Sequence, residues 1–198
     1  MPRYDEKTAL IVVDMQNDFA DPGGNLYVNG GDAIISTINA QIAEAQRAGA
    51  LVVYTQDWHP ESTPHFVKDG GTWPVHCVKN TWGAEFHPHL KVVGDVVQKG
   101  TGGEDGYSGF SARDPESGTE SSTGLEQMLR DRGIESVVVV GLAADVCVRA
   151  TALDAVRLGF RTIVIKDATR GVDLNEGDTE RAFEEMEKAG ATLESAAV

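Results

Sequence analysis

Four consecutive valines, Val137 to Val140, constrain this chain more than any other stretch. A β-branched run with no polar face reads as a strand covered on both sides, which places it inside a parallel sheet flanked by helices. Gly141-Leu142-Ala143-Ala144-Asp145-Val146-Cys147-Val148 follows, and helical spacing resumes through Ala150, Thr151, Leu153 and Val156. The strand therefore turns directly into a helix with Cys147 in its first turn. There the helix dipole and unpaired backbone N–H groups favour thiolate over thiol. The same N–H groups can hold a developing oxyanion. A lone cysteine is more often a small packed apolar residue, so this turn needs chemical partners elsewhere before it reads as a nucleophile.

The rest of the chain repeats the strand–helix alternation. Thr8 to Val13 is an apolar run ending at Asp14, and Ile34, Ile35, Ile38, Ile42 and Ala45 recur at helical spacing behind Asp32, the expected N-cap. Leu51 to Thr55 reads as the second strand, closely followed by Asp57, and Val92 to Val97 as the third, ending near Lys99. A helix is predicted from a capping box at Thr123 to Gly133, another from Asp145 to Leu158, and a third from Asp178 or Thr179 to Gly190. Arg161 to Ile165 and Ala191 to Leu193 supply the last strands. The expected fold is a three-layer α/β/α domain over residues 1–198 with a six-stranded, mainly parallel sheet of Rossmann-like type. Two excursions interrupt it: Pro60 to Pro88, with four of the seven prolines, and the glycine- and serine-rich stretch Gly100 to Ser122. Long loops in compact domains are usually functional.

Composition narrows the partners. A net charge of −14 argues against nucleic acid, whose binding needs Lys and Arg on phosphates. The apolar run Ala9–Val13 is too short for a signal-peptide core or a membrane span. Two cysteines make no disulfide framework, so a reducing cytoplasm is the expected compartment. No nucleic acid and no membrane are expected as partners, and a homo-oligomer remains open.

In parallel sheets ligands bind beyond the carboxyl ends of the strands. Asp14, Asp57, Lys99 and Cys147 all fall there. Asp14 can serve as base for the Cys147 thiol, and Lys99 is expected to lower both pKa values by proximity. The competing reading is a buried Asp–Lys pair that orders the strand ends. Asp57 and His59 lie two apart and so share a side on an extended chain. With His65 and His76 they form an N/O donor set suited to Zn²⁺, Fe²⁺ or Mn²⁺. His87 and His89 read as exposed, and Cys77 as packed core. Phe19, Trp73 and Tyr107 follow strands one, two and three and are expected to wall a flat aromatic pocket.

These blocks resemble one known family. Val13-Asp14-Met15-Gln16-Asn17-Asp18-Phe19, Asp57-Trp58-His59-Pro60, Trp73-Pro74-Val75-His76-Cys77-Val78, Lys99-Gly100, Tyr107-Ser108-Gly109-Phe110 and Gly141 to Val148 run in the order of the isochorismatase-like cysteine hydrolases, especially their nicotinamidase/pyrazinamidase branch. The resemblance implies a nicotinamide-hydrolysing amidase of NAD salvage, with Asp14, Lys99 and Cys147 as triad. It implies a divalent metal, zinc foremost with iron or manganese as alternatives, on Asp57, His59, His65 and His76. It also implies a cis Leu142–Ala143 peptide, an oxyanion hole from the Ala143 and Cys147 N–H groups, and a pyridine ring held between Phe19 and Trp73 with Tyr107 close by. A metal-independent amidase of the same superfamily, acting on another small amide, is the alternative. The chain departs from the family at Ala144 and Val146, where Thr and His are frequent, and residues 111–122 match no part of the pattern.

Overall fold

The computed structural model describes residues 3–196; the outermost two residues at each end of the expected 1–198 domain lie outside it. In chain order the elements are β1 (Thr8–Val13), α1 (Asn17–Ala20), α2 (Ile35–Arg47), β2 (Leu51–Asp57), β3 (Asp95–Lys99), β4 (Ser111–Arg113), β5 (Glu120–Ser122), α3 (Leu125–Asp131), β6 (Ser136–Leu142), α4 (Arg149–Arg157), β7 (Arg161–Arg170), α5 (Asp178–Ala189) and β8 (Thr192–Glu194). Six strands form one sheet in the order β3-β2-β1-β6-β7-β8, with every neighbouring pair parallel. Strand order reverses between β1 and β6, so the crevice beyond their carboxyl ends is where a ligand belongs.

The valine run behaves as its composition requires. Val138 and Val140 join Leu10, Val12, Ile38 and Ile42 in the core on one face. Val137 and Val139 join Ile11, Val13, Leu129, Ala152 and Met186 on the other. Side chains alternate along a strand, so an unbroken apolar run is needed only where both faces are covered.

Element starts differ from the sequence reading for identifiable reasons. α2 begins at Ile35 behind a 3-10 turn at Asp32–Ile34, and its cap position carries no side-chain hydrogen bond. Asp32 instead accepts from the Tyr27 hydroxyl at 2.8 Å. A cap contributes about 1 kcal/mol, whereas each fully buried Ile contributes about 1.5–3 kcal/mol; packing of Ile35, Ile38 and Ile42 outweighs the missing cap. α3 starts after a left-handed Gly124, with Thr123 Oγ1 accepting from Leu125 N–H at 3.3 Å and donating to the Gly109 carbonyl at 2.6 Å. The capping box is replaced by a tie to the neighbouring loop. α5 is capped by left-handed Gly177 rather than by Asp178 or Thr179. β3 begins only at Asp95, with Val92 and Val93 exposed before it, and β7 runs five residues past Ile165. The glycine- and serine-rich excursion contains the β4–β5 hairpin, paired Ser111↔Ser122 to Arg113↔Glu120. Its strands are three residues each and mostly polar, too short to show a period.

Candidate active site

The β6-to-α4 connection is built for close approach. Gly141 has φ 111°, and a Cβ there would lie 2.2 Å from the Val13 carbonyl oxygen, so only glycine lets β6 stay against β1. The Leu142–Ala143 peptide is cis. The predicted helix from Asp145 is two pieces: a π-helical turn over Ala144–Val148, marked by Val148 N–H donating to the Ala143 carbonyl at 3.0 Å, and then α4. Cys147 sits in that wide turn, buried.

Asp14 leaves β1 in a left-handed conformation, φ 48°, which Asp tolerates better than most residues. Its Oδ1 accepts from Thr55 Oγ1 at 2.6 Å and its Oδ2 from Lys99 Nζ at 2.8 Å. Lys99 Nζ also donates to Asp57 Oδ1 at 2.5 Å and to the Gly106 carbonyl. Cys147 Sγ lies 3.8 Å from the same nitrogen, and donor atoms of Asp14, Asp57 and Cys147 all lie within 4.8 Å of one another. The chain thus brings together Asp14, Asp57, Lys99 and Cys147 from four separate strand ends.

The electrostatics differ from the simple proximity argument. Burial pushes the Asp14 carboxyl up to about 6, against the downward pull of Lys99. Burial also pushes the Cys147 thiol well above its ordinary value; Lys99 opposes this, while Asp14 and Asp57 reinforce it. Desolvation and the two carboxylates thus act against the ionisation of Cys147 that the Lys99 ammonium favours. Burial works against the Lys99 charge too, yet Asp14 and Asp57 hold its pKa well above normal.

Beside this cluster, ring nitrogens of His59, His65 and His76 lie within 4.8 Å of one another. His76 Nδ1 faces the Pro74 carbonyl at 2.7 Å, and His65 Nδ1 faces Asp105 Oδ1 at 2.5 Å. Both ring nitrogens of His59 are buried with no hydrogen-bond partner. Asp57 Oδ2 stands 3.7 Å from His59 Nε2 and 3.9 Å from His76 Nε2, beyond hydrogen-bond reach. An unpartnered buried polar atom costs about 1–3 kcal/mol; a cation among these atoms would remove that cost. Burial pushes His76 down to about 4 and lowers His65 as well, which keeps both rings neutral with lone pairs available at neutral pH. Burial alone would raise Asp57, but the Lys99 ammonium outweighs it and holds its carboxyl below the usual range. The donor set fits a divalent metal of borderline softness. Gly100 permits the packing, since a Cβ there would meet His59 Cε1 at 2.5 Å.

Between the two groups opens a pocket of about 420 Å³, its mouth included, lined by Phe19, Asp57, His65, Trp73, His76, Tyr107, Ala143 and Cys147 among others. Trp73 Nε1 donates to the Tyr107 hydroxyl at 2.9 Å, so two walls brace each other. Cys77 is buried core as expected, while His87, expected to be exposed, is buried at 6%. Its backbone N–H donates to the Met15 carbonyl at 2.9 Å and its ring accepts from His89 N–H at 3.2 Å. Local ties of this kind have no signature in sequence. Sequence reasoning also gave no part to Gln16, which clamps Asp57. Its Nε2 donates to the Asp57 carbonyl at 2.7 Å and its Oε1 accepts from the Asp57 N–H at 2.8 Å. Its place two residues after Asp14 was the available signal.

Residues 8–198 match the isochorismatase domain family. The chain belongs to this family. Among isochorismatase relatives, it is 40% identical to the nicotinamidase of Escherichia coli K12, over 93% of each chain. It is 44% identical to the nicotinamidase/pyrazinamidase of Mycobacterium tuberculosis, over 93% of this chain and 97% of that one. The crystal structure of Pyrococcus horikoshii pyrazinamidase in complex with zinc superposes with a TM-score of 0.84 at 43% identity, covering 96% of this chain and 99% of the other.

Proposed function

We infer that the chain hydrolyses nicotinamide to nicotinate and ammonia, and pyrazinamide by the same route, a reaction of NAD salvage. One observation carries the reading: a single aromatic-walled pocket is lined by Cys147 and Asp57 of the buried thiol–carboxylate–ammonium cluster and by His65 and His76 of the three converging imidazoles, in a chain with nicotinamidase relatives across nearly its whole length.

Asp14 takes the Cys147 proton as Sγ attacks the carboxamide carbon. The Ala143 and Cys147 N–H groups receive the oxyanion; one such donor is typically worth about 2.7–4 kcal/mol. Asp14 hands the proton to the departing nitrogen, ammonia leaves, and an acyl thioester remains on Cys147. A water deprotonated by Asp14 then attacks the same carbon, the C–S bond breaks, nicotinate leaves, and Asp14 returns the proton to Cys147 to restore the thiol. Lys99 holds Asp14 and Asp57 in place throughout and offsets their negative charge. Phe19 and Trp73 hold the ring flat and Tyr107 braces Trp73. Asp57, His59, His65 and His76 would hold a divalent ion, zinc before iron or manganese. When bound, that ion supplies a Lewis-acidic anchor that orients the ring. A metal-independent amidase would have no use for three buried imidazoles facing one another, two of their nitrogens unpartnered.

Ammonia release from nicotinamide, pyrazinamide and an aliphatic amide, with and without chelator, tests the reading. Turnover is expected for the aromatic amides, suppressed by chelator and abolished in Cys147→Ala with its fold intact by circular dichroism. Substantial turnover by Cys147→Ala would exclude the thioester route, and chelator-resistant turnover would return the metal-independent alternative.

A further inference from the structure

Residues 111–122, which no motif explains, make a contact that reaches the imidazole cluster. In the first hairpin strand, the Arg113 N–H donates to the Asp105 carbonyl at 3.1 Å, and the Asp105 N–H donates to the Arg113 carbonyl at 2.7 Å. The hairpin is itself pinned. Ser111 Oγ donates to Asp154 Oδ2 on α4 at 2.9 Å, and Ser108 Oγ donates to the same oxygen at 2.6 Å. At the hairpin tip, Asp114 Oδ1 accepts from the Glu116 and Ser117 N–H groups at 3.1 and 2.6 Å. The Asp105 backbone therefore sits between an anchored hairpin and the loop after β3. From that fixed backbone its carboxylate reaches His65 Nδ1 at 2.5 Å.

We propose that Asp105 is a positioning residue of the metal centre, holding His65 as the Nδ1–H tautomer and presenting Nε2 as the ligating atom. A neutral imidazole carries one N–H and one lone pair, and the partner of one nitrogen decides which is which. With Asp105 accepting at Nδ1, the lone pair is at Nε2. The carboxylate also makes that lone pair more basic. His76 obtains the same tautomer from the Pro74 carbonyl, a neutral acceptor, so His65 is the ligand whose donor strength is raised by charge. The hairpin thereby fixes the carboxylate that in turn fixes the ligand. The inference rests on the metal reading above.

Zinc affinity measured against a chromophoric chelator tests it, together with the His65 tautomer read by long-range ¹H–¹⁵N NMR in metal-stripped protein. Asp105→Ala is expected to weaken zinc binding about 10–100-fold and to shift His65 toward the Nε2–H form. Asp105→Asn keeps an acceptor oxygen without the charge, so it should keep the tautomer and lose less affinity. Should Asp105→Ala fail to fold, the near-isosteric Asn variant still separates charge from shape. Unaltered zinc affinity in both variants, or an Nε2–H His65 in the wild-type protein, overturns the proposal. Wild-type protein that binds no zinc overturns the metal reading with it, a different result from wild-type binding with unaltered variants.

Discussion

Lys99→Met keeps most of the side chain's length and removes the one cation between two buried carboxylates. Nζ lies 2.8 Å from Asp14 and 2.5 Å from Asp57, and all three side chains are at most 4% exposed. Removing one partner of a buried ion pair typically costs about 3–5 kcal/mol, because the remaining charge has neither water nor counter-ion. In a chain of this length 1 kcal/mol moves Tm by about 2–4 °C, so a drop of about 6–20 °C is expected. The loss should depend on pH in a defined direction. Asp14 already has its carboxyl raised to about 6 in the folded protein, from an ordinary value near 3.8. The folded state therefore binds that proton more tightly than the unfolded chain, and stability falls as pH rises through this window. Without Lys99 the Asp14 carboxyl rises further, and Asp57, now held below the usual range, rises too. Above pH 6 the wild type gains from Lys99 what the variant lacks. Near pH 4.5 the variant's carboxylates protonate and much of the penalty disappears. Melting curves in chelator at both pH values read this out. Adding Asp14→Asn, which removes one stranded charge, should recover part of the loss. An equal Tm drop at both pH values, or strictly additive single and double variants, would refute the charge assignment.

Two further outcomes follow from the same geometry. Because Asp14 must be ionised to accept the thiol proton, kcat/KM for nicotinamide should rise with pH through an apparent pKa near 6; a profile flat down to about pH 5 would remove Asp14 as the base. Gly141→Ala puts a Cβ 2.2 Å from the Val13 carbonyl at φ 111°, so it should cost at least about 1–3 kcal/mol from conformation alone and lower Tm and activity together. A variant with wild-type Tm would show that β1 and β6 can separate there without penalty.

The sheet was legible because its central strands are unbroken apolar runs. Val137 to Val140 and Thr8 to Val13 carry apolar side chains at nearly every position, and only a two-faced sheet buries all of them. The positions of Asp14, Asp57, Lys99 and Cys147 followed from strand ends alone, since register carries them to one edge. Start points were less legible where tertiary ties replace local ones. Thr123 has capping-box spacing, yet its hydroxyl donates to Gly109 rather than completing the box. The charge state of the site was not legible at all. The Lys99 ammonium favours thiolate, but desolvation and the Asp14 and Asp57 carboxylates oppose it, and burial is a property of the packed core rather than of neighbours in sequence.

Asp57 joins the halves of the site. Oδ1 takes the Lys99 ammonium that also holds Asp14, while Oδ2 points toward His59 and His76. Gln16, two residues past Asp14, grips the Asp57 backbone through both its N–H and its carbonyl. Asp14 and the imidazole cluster are thus connected twice, once through charge and once through the chain. A small shift of Asp57 would lengthen the Lys99 contact and change how strongly Lys99 pulls on Asp14. In the proposed mechanism, holding Asp57 in place is therefore part of what keeps Asp14 poised between accepting and returning a proton. This explains why so many buried, costly polar groups are gathered where a simple packed strand end would be more stable.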